Sequence, residues 1–304
     1  TNPFNGGRLW LGYWCDDDHT FGVEGNAFIV ENKVARKDIS SNGDVGTSVL
    51  ARPFFNVNAG VEDADPIAVP GVMSGRIIIT QPRRFWGGEA NIRISQSASL
   101  YKNGRLSFLI GARYLSLDEK LEINEALADL PGLGQPGNTF AADEHFTTFN
   151  RFYGGQVGLG WDMTLGCVFL SVDARVAIGR NQEKEKVSGG SEIVEPDGTV
   201  TVGVNRALLV MPSNVGVFSR NEVSIVPEVT VHLGWNFNQY VNVAIGYNFL
   251  YWHKVARPSD QIDRAINIQA LQPFDQIGPA QPMHRFEQSN IWVQGLSLSL
   301  GFSF

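Results

Sequence analysis

The sequence predicts an all-β chain, an antiparallel up-and-down β-barrel that crosses a membrane, and three observations lead there. Apolar residues recur with period two over unusually long stretches, no run is apolar enough for a membrane helix, and short connections alternate with long ones. In 222–237 the odd positions read Val223, Ile225, Pro227, Val229, Val231, Leu233, Trp235 and Phe237. The even ones read Glu222, Ser224, Val226, Glu228, Thr230, His232, Gly234 and Asn236. In 168–178 Val168, Leu170, Val172, Ala174, Val176 and Ile178 alternate with Ser171, Asp173 and Arg175. The final stretch sets Leu296, Leu298, Leu300, Phe302 and Phe304 against Ser297, Ser299, Gly301 and Ser303.

Length separates a membrane barrel from a soluble one. The 16 residues of 222–237 span ~54 Å at ~3.4 Å each, or ~41 Å along the normal at a ~40° tilt, which exceeds a ~25 Å apolar band. Soluble strands usually number about 5–6 residues. Uncharged stretches such as 163–172 fall short of the roughly 20 residues a membrane helix needs. The 33 Gly and 14 Pro suit short turns rather than helices.

Charge and cysteines exclude other classes. A net charge of −7 argues against nucleic acid, which needs a basic face. Two cysteines, Cys15 and Cys167, are too few for a disulfide scaffold or a thiolate metal cage. They fall at short turns several strands apart, so two unpaired thiols are expected.

Membrane strands are expected near 7–15, 20–31, 76–97, 105–117, 146–162, 167–181, 222–237, 240–253 and 288–304. Short turns are read at 15–19, 102–104, 163–166 and 238–240, and long outer loops at 31–75, 118–145, 182–221 and 254–287. The loops are rich in Gly, Pro, Asn and Asp and suit an exposed surface. Extra hairpins are expected within them, one with an arm at 49–56 and one turning at Pro196-Asp197-Gly198. Nine strands is an odd number, and bacterial barrels are normally even. About ten strands (range 10–14) are therefore expected in one domain, 1–304. One strand would precede residue 1, leaving a gap between 288–304 and 7–15.

Charges on a lipid face are costly, so the polar alternates should face the lumen: Glu24, Glu89, Asn91, Arg93, Arg113, Gln156, Asp173, Arg175, Glu228, His232 and Asn248. They form either a charged constriction on a solute path or a paired filling of a narrow barrel. The filling is favoured, because side chains occupy the interior of small barrels. His232 is read as a satisfied lumen residue. Tyr13, Trp14, Trp161, Trp235, Phe237, Tyr247, Tyr251, Trp252 and Trp292 are read as interface girdles rather than a sugar-stacking path.

Asp16-Asp17-Asp18 lacks the Gly and trailing Glu of a calcium loop and reads as a solvated turn. The five His show no metal-ligand spacing. Ser224 lies far along the strand from His232, so no Ser–His pair is evident. No catalytic residue, metal or cofactor is expected, and the chain is not read as an enzyme.

Longer motifs carry a resemblance. Gly6-Gly7-Arg8-Leu9-Trp10-Leu11-Gly12-Tyr13-Trp14, Ala51-Arg52-Pro53-Phe54-Phe55-Asn56 and Phe85-Trp86-Gly87-Gly88-Glu89-Ala90-Asn91 come first. Gly111-Ala112-Arg113-Tyr114-Leu115, Asn150-Arg151-Phe152-Tyr153-Gly154-Gly155-Gln156 and Pro212-Ser213-Asn214-Val215-Gly216 follow. The most specific is Gly246-Tyr247-Asn248-Phe249-Leu250-Tyr251-Trp252 with Arg257-Pro258-Ser259-Asp260-Gln261-Ile262-Asp263, and Trp292-Val293-Gln294-Gly295-Leu296 closes the set. On these the chain resembles the putative β-barrel porin-7 family, over nearly its whole length. The resemblance implies a barrel in the bacterial outer membrane and an aromatic-rich strand ahead of the Gly-Gly-Arg segment; it transfers no catalytic residues. The expected activity is porin-like, a passive passage of small solutes. The alternative is a structural anchor with a filled lumen whose loops contact other surface proteins. Expected partners are outer-membrane lipid, such surface proteins and further copies of the same chain, and not nucleic acid.

Overall fold

Period-two alternation carries through to one long antiparallel sheet. The computed structural model describes residues 4–97, 104–130, 137–271 and 278–303. Along the chain come β1 (Gly6–Trp14), β2 (Phe21–Val30), β3 (Val34–Ser41), β4 (Leu50–Asn56), β5 (Val61–Ala68), β6 (Met73–Ser97) and β7 (Gly104–Asp129). Then follow β8 (Thr139–Leu165), β9 (Val168–Val194), β10 (Val200–Val204), β11 (Gly216–Asn236), β12 (Val241–Val255), β13 (Ala265–Ile266) and β14 (Ser289–Phe302). The main path is β1-β2-β6-β7-β8-β9-β11-β12-β14, with β3 also on β6 and β10 also on β9. β13, β4 and β5 make a separate small sheet. The nine strands of the path are the nine expected to cross a membrane.

The sheet curls on itself. Arg8 on β1 reaches Glu228 on β11, and Glu24 on β2 reaches Arg175 on β9. Four strand spacings of ~4.8 Å separate β2 from β9, too far for side chains on a flat sheet. Yet β1 and β14 are the ends of the path, and among the described residues no ladder joins them. A closed barrel is therefore not part of the described structure. Phe304 lies outside the described residues, and so do Lys102 and Asn103 of the expected turn at 102–104.

Long strands replace much of what the sequence suggested were loops. β7 and β8 run on to Asp129 and from Thr139, so most of 118–145 is a projecting hairpin, and β9 extends to Val194. The reason is an inversion of polarity rather than an end to alternation. Low on β7 the outward residues are Leu106, Phe108 and Ile110. Higher up Lys120 and Glu122 face outward, while Leu121 and Ile123 are buried inside. Rings of Trp86, Tyr114 and Tyr153 line up across β6, β7 and β8 at the changeover, 5.1 and 4.9 Å apart.

Above that line the long connections fold inward. The expected arm at 49–56 and the turn at 196–198 are present, as the β4–β5 and β9–β10 hairpins. Phe54, Ile67, Ile77, Phe146, Val210, Met211 and Ile266 bury one another in an upper core. This corrects the expectation of exposed loops. Segment 207–211 is apolar and fully covered, and each large side chain gains about 1.5–3 kcal/mol by burial. A middle core holds Phe85, Leu115, Phe152, Val226, Leu250 and Trp252.

The β11–β12 ladder stops at Glu228↔Leu250, beside Pro227, which has no N–H to offer. Just above, the chain turns in at Lys254 (φ 57°) and carries Val255 and Ala256 into the interior. Asn150 clamps it there, with Nδ2 donating to Ala256 O at 2.8 Å and Oδ1 accepting from Ala256 N at 2.9 Å.

At the opposite end the turns are short. Asp16 accepts from the backbone N–H of Thr20 (2.8 Å) and Phe21 (2.7 Å), and Gly166 takes φ +64°, where a side chain would be strained. Those two backbone hydrogen bonds, Phe21's first, hold the Asp16 carboxyl below its ordinary range. Cys15 and Cys167 are both free and exposed, as expected.

Candidate functional site: an interior ion-pair layer

The interior face below the middle core is polar on every strand, and its charges meet one another. Alternation sets Glu24, Glu89, Arg93, Arg113, Asp173, Arg175 and Glu228 on this face, and curling brings them within contact. Arg93 Nε donates to Glu24 at 2.8 Å and its Nη2 to Asp173 at 2.8 Å. Arg113 Nε donates to Glu89 at 2.9 Å, and Nη2 pairs with Glu228 at 2.5 Å. Arg175 pairs with Glu89 at 2.9 Å and Glu24 at 3.4 Å, and its guanidinium sits 5.3 Å from the Trp10 ring centre.

Neutral groups join the same layer. Asn91 Nδ2 donates to Glu24 at 3.1 Å, and Gln156 Nε2 donates to Glu89 at 3.1 Å and also to Asn91. Asn248 accepts from Arg8 at 3.4 Å and donates to Ser297 at 3.1 Å. Backbone without side chains gives the ions room. A Cβ on Gly158 would stand 2.9 Å from Arg175 Cγ, and one on Gly160 2.7 Å from Asp173 Oδ1.

Sign and burial decide what this layer is. Four guanidinium groups (Arg8, Arg93, Arg113, Arg175) face four carboxylates (Glu24, Glu89, Asp173, Glu228), with Asp162 beside Arg93 at the rim. The side chains of Arg175, Arg113, Glu89 and Glu228 are only 1, 2, 3 and 4% exposed. Charges so deep are tolerated because each is paired and hydrogen-bonded; an unpaired one would cost several kcal/mol. Ten of the eleven residues singled out from the sequence are thus joined by hydrogen bonds or ion pairs. His232 is the exception. It faces the interior but packs 6.4 Å from the Trp10 ring, and among the described residues it has no hydrogen bond to satisfy it.

Several participants escaped the sequence reading. Arg8 shares the parity of Trp10 on β1, and Glu183 and Glu185 continue the odd positions of Asp173 and Arg175 on β9. Their parity is the signal, since the strand continues past the expected end at 181 to Val194. Glu183 accepts from Arg220 (2.7 Å) and Gln288 (2.7 Å), and Glu185 contacts His284 Nε2 at 2.9 Å, which fastens segment 284–288 to the wall. Burial, opposed by Arg220, pushes the Glu185 carboxyl up to about 8. Burial, then Arg220, lowers the His284 imidazole. In the upper core Arg52 binds Glu125 and Glu144, the latter at 2.5 Å. Burial lifts Glu125 to about 7 despite Arg52, with Glu144 and Asp65 adding to the rise.

Two aromatic assignments are corrected. Trp252 is fully buried in the middle core, between Phe85 and Phe152. Trp14 lies on the interior parity with the Arg105 guanidinium 5.7 Å from its ring. Tyr13, Trp235, Phe237 and Trp292 are exposed on the outer face. Tyr247 is exposed there as well, with its hydroxyl donating to Gln294 at 2.7 Å. Ser224 donates to the His253 carbonyl rather than to an imidazole, and no acidic or histidine cluster among the described residues is arranged to hold a metal.

No curated protein and no solved structure matches the chain. The family described as Putative beta barrel porin-7 matches residues 1–304, its whole length, and agrees with the all-β architecture. The chain belongs to the Putative beta barrel porin-7 family.

Proposed function

We propose that the protein is a bacterial outer-membrane barrel with a sealed interior, serving as an anchor that presents its outer cap to the surroundings. The ion-pair layer carries this reading. A water-filled conduit would leave its lining charges hydrated, whereas Arg113 and Arg175 are almost wholly enclosed by their partners. Two apolar cores lie above them and add a second closure.

The outer face supports the membrane address. On β8 eight residues separate Tyr153 from Trp161, both on the outward parity. That is ~27 Å at strand rise, or ~21 Å along the normal at a ~40° tilt, close to the ~25 Å apolar band of outer-membrane barrels. Leu296 and Leu298 on β14 are 82 and 83% exposed, which suits lipid and not water. Closure of the seam between β1 and β14 belongs to the same proposal, because unpaired backbone groups cost several kcal/mol each in lipid. Partners met through the cap, surface proteins or further copies of the chain, are part of it too. Planar-bilayer recording of the folded protein tests the reading. No discrete conductance steps are expected; reproducible steps would assign porin-like solute passage instead.

A further inference from the structure

Above the aromatic line the outer face of four neighbouring strands turns from apolar to basic. On β9 the outward positions read Ile178, Arg180, Gln182, Lys184 and Lys186, all exposed. Backbone pairing places Arg180 beside Tyr153, Gln182 beside Arg151, Lys184 beside Phe149 and Lys186 beside Thr147. One strand further, Lys120 pairs with Thr147 and Asp118 with Phe149, and Arg84 on β6 stands opposite Asp118. Six cations (Arg84, Lys120, Arg151, Arg180, Lys184, Lys186) thus share this surface with two carboxylates, Asp118, which Arg151 holds, and Glu122. Lys120 leans on Glu122 at the upper border. Among the described residues Arg84, Arg180, Lys184 and Lys186 have no hydrogen bond or ion pair within the chain. The acids of β9, Glu183 and Glu185, point the other way and are enclosed.

A solvated face would need no such sorting of sign, and depth gives the sorting a purpose. The basic rows begin beside Tyr153, where the apolar band ends. They climb six residues to Lys186, ~16 Å along the normal at a ~40° tilt. A glycerophospholipid headgroup layer is only about 5–8 Å thick. Rows that continue beyond it fit a lipid whose anionic groups are carried on sugars. We propose that this patch binds a phosphorylated glycolipid of the outer leaflet, with guanidinium and ammonium groups on its phosphates and Trp86, Tyr114 and Tyr153 against its acyl ends. The inference rests on the outer-membrane reading, since only that places the patch at headgroup depth.

Native mass spectrometry of the protein released from zwitterionic nanodiscs tests it, with diphosphoryl lipid A, its dephosphorylated form or phosphatidylglycerol added. The wild type should retain diphosphoryl lipid A over both others. The Arg180→Gln/Lys184→Gln/Lys186→Gln variant should retain on the order of a hundredfold less, roughly fivefold per charge removed. A charge-matched control, Lys37→Gln/Arg264→Gln/Arg285→Gln on the cap, should match the wild type. Equal retention by the patch variant, equal retention of phosphatidylglycerol, or displacement by millimolar inorganic phosphate would each overturn the proposal. Heat-modifiable migration and protection from protease in vesicles report folding and insertion separately. A wild type that never inserts sinks the membrane reading together with this inference, whereas an inserted protein without lipid selectivity sinks the inference alone.

Discussion

At the scale of single residues, pairing explains why charges are tolerated in the interior. Arg175 touches Glu24, Glu89 and Asp173 from one position, so its loss leaves the enclosed layer with four carboxylates and only three guanidinium groups. Arg175→Ala should destabilise the protein by about 3–5 kcal/mol, read as a lowered denaturant midpoint in lipid vesicles. A loss below about 1 kcal/mol, the range of exposed pairs, would deny the layer its structural role. Glu185 supplies a test with a sign. Its carboxyl is raised from 4.5 to about 8 in the folded chain, so between those values the folded state holds a proton that the unfolded state releases. Stability therefore falls as pH rises through that window. Glu185→Gln keeps a donor for His284 and removes the titration, so the variant should gain on the wild type in melting temperature from pH 5 to pH 9. A difference that is flat or reversed would show that Glu185 is not held protonated by its surroundings.

At the scale of elements, alternation was legible and its continuation was not. All nine strands of the path could be located from period two, because an apolar outer face and a polar inner face leave a plain mark on β9, β11 and β14. Above the aromatic line the same period persists with its polarity reversed, and Lys120, Leu121, Glu122 and Ile123 look like ordinary soluble strand. The upper halves of β7, β8 and β9 therefore carry no mark in the sequence that separates them from loop hairpins. The ion-pair layer was readable residue by residue, but its partners were not, since Arg8–Glu228 and Arg93–Asp173 contacts depend on how far the sheet curls. Trp252 shares the even, interior parity of Asn248 and Leu250 on β12, so its burial was marked by the alternation itself, whereas the inward turn at Lys254 has no local pattern to announce it. The register itself is open to test on β11. Val229→Arg should cost about 2–4 kcal/mol near the midplane, and Thr230→Ser far less. Equal costs at the two positions would mean that the faces are wrongly assigned.

At the scale of the whole molecule, three layers stand above one another along the interior. The ion pairs lie near the short turns, the middle core around Trp252 and Phe152 follows, and the upper core with its small sheet closes the far end. Each layer crosses from one part of the curled sheet to another, so the wall is held by its contents as well as by its ladders. The central claim is that one face of this sheet meets lipid while the other encloses a dry, ion-paired filling. Solid-state NMR of the protein in bilayers measures both at once, by following magnetisation from acyl chains and from water into assigned side chains. Val172, Val176, Val229 and Val231 should build up early from the acyl chains, and the guanidinium signals of Arg113 and Arg175 late from both sources. Arg113 and Arg175 signals that rise from water as fast as those of exposed Arg264 would contradict the account and leave an open aqueous lumen in its place.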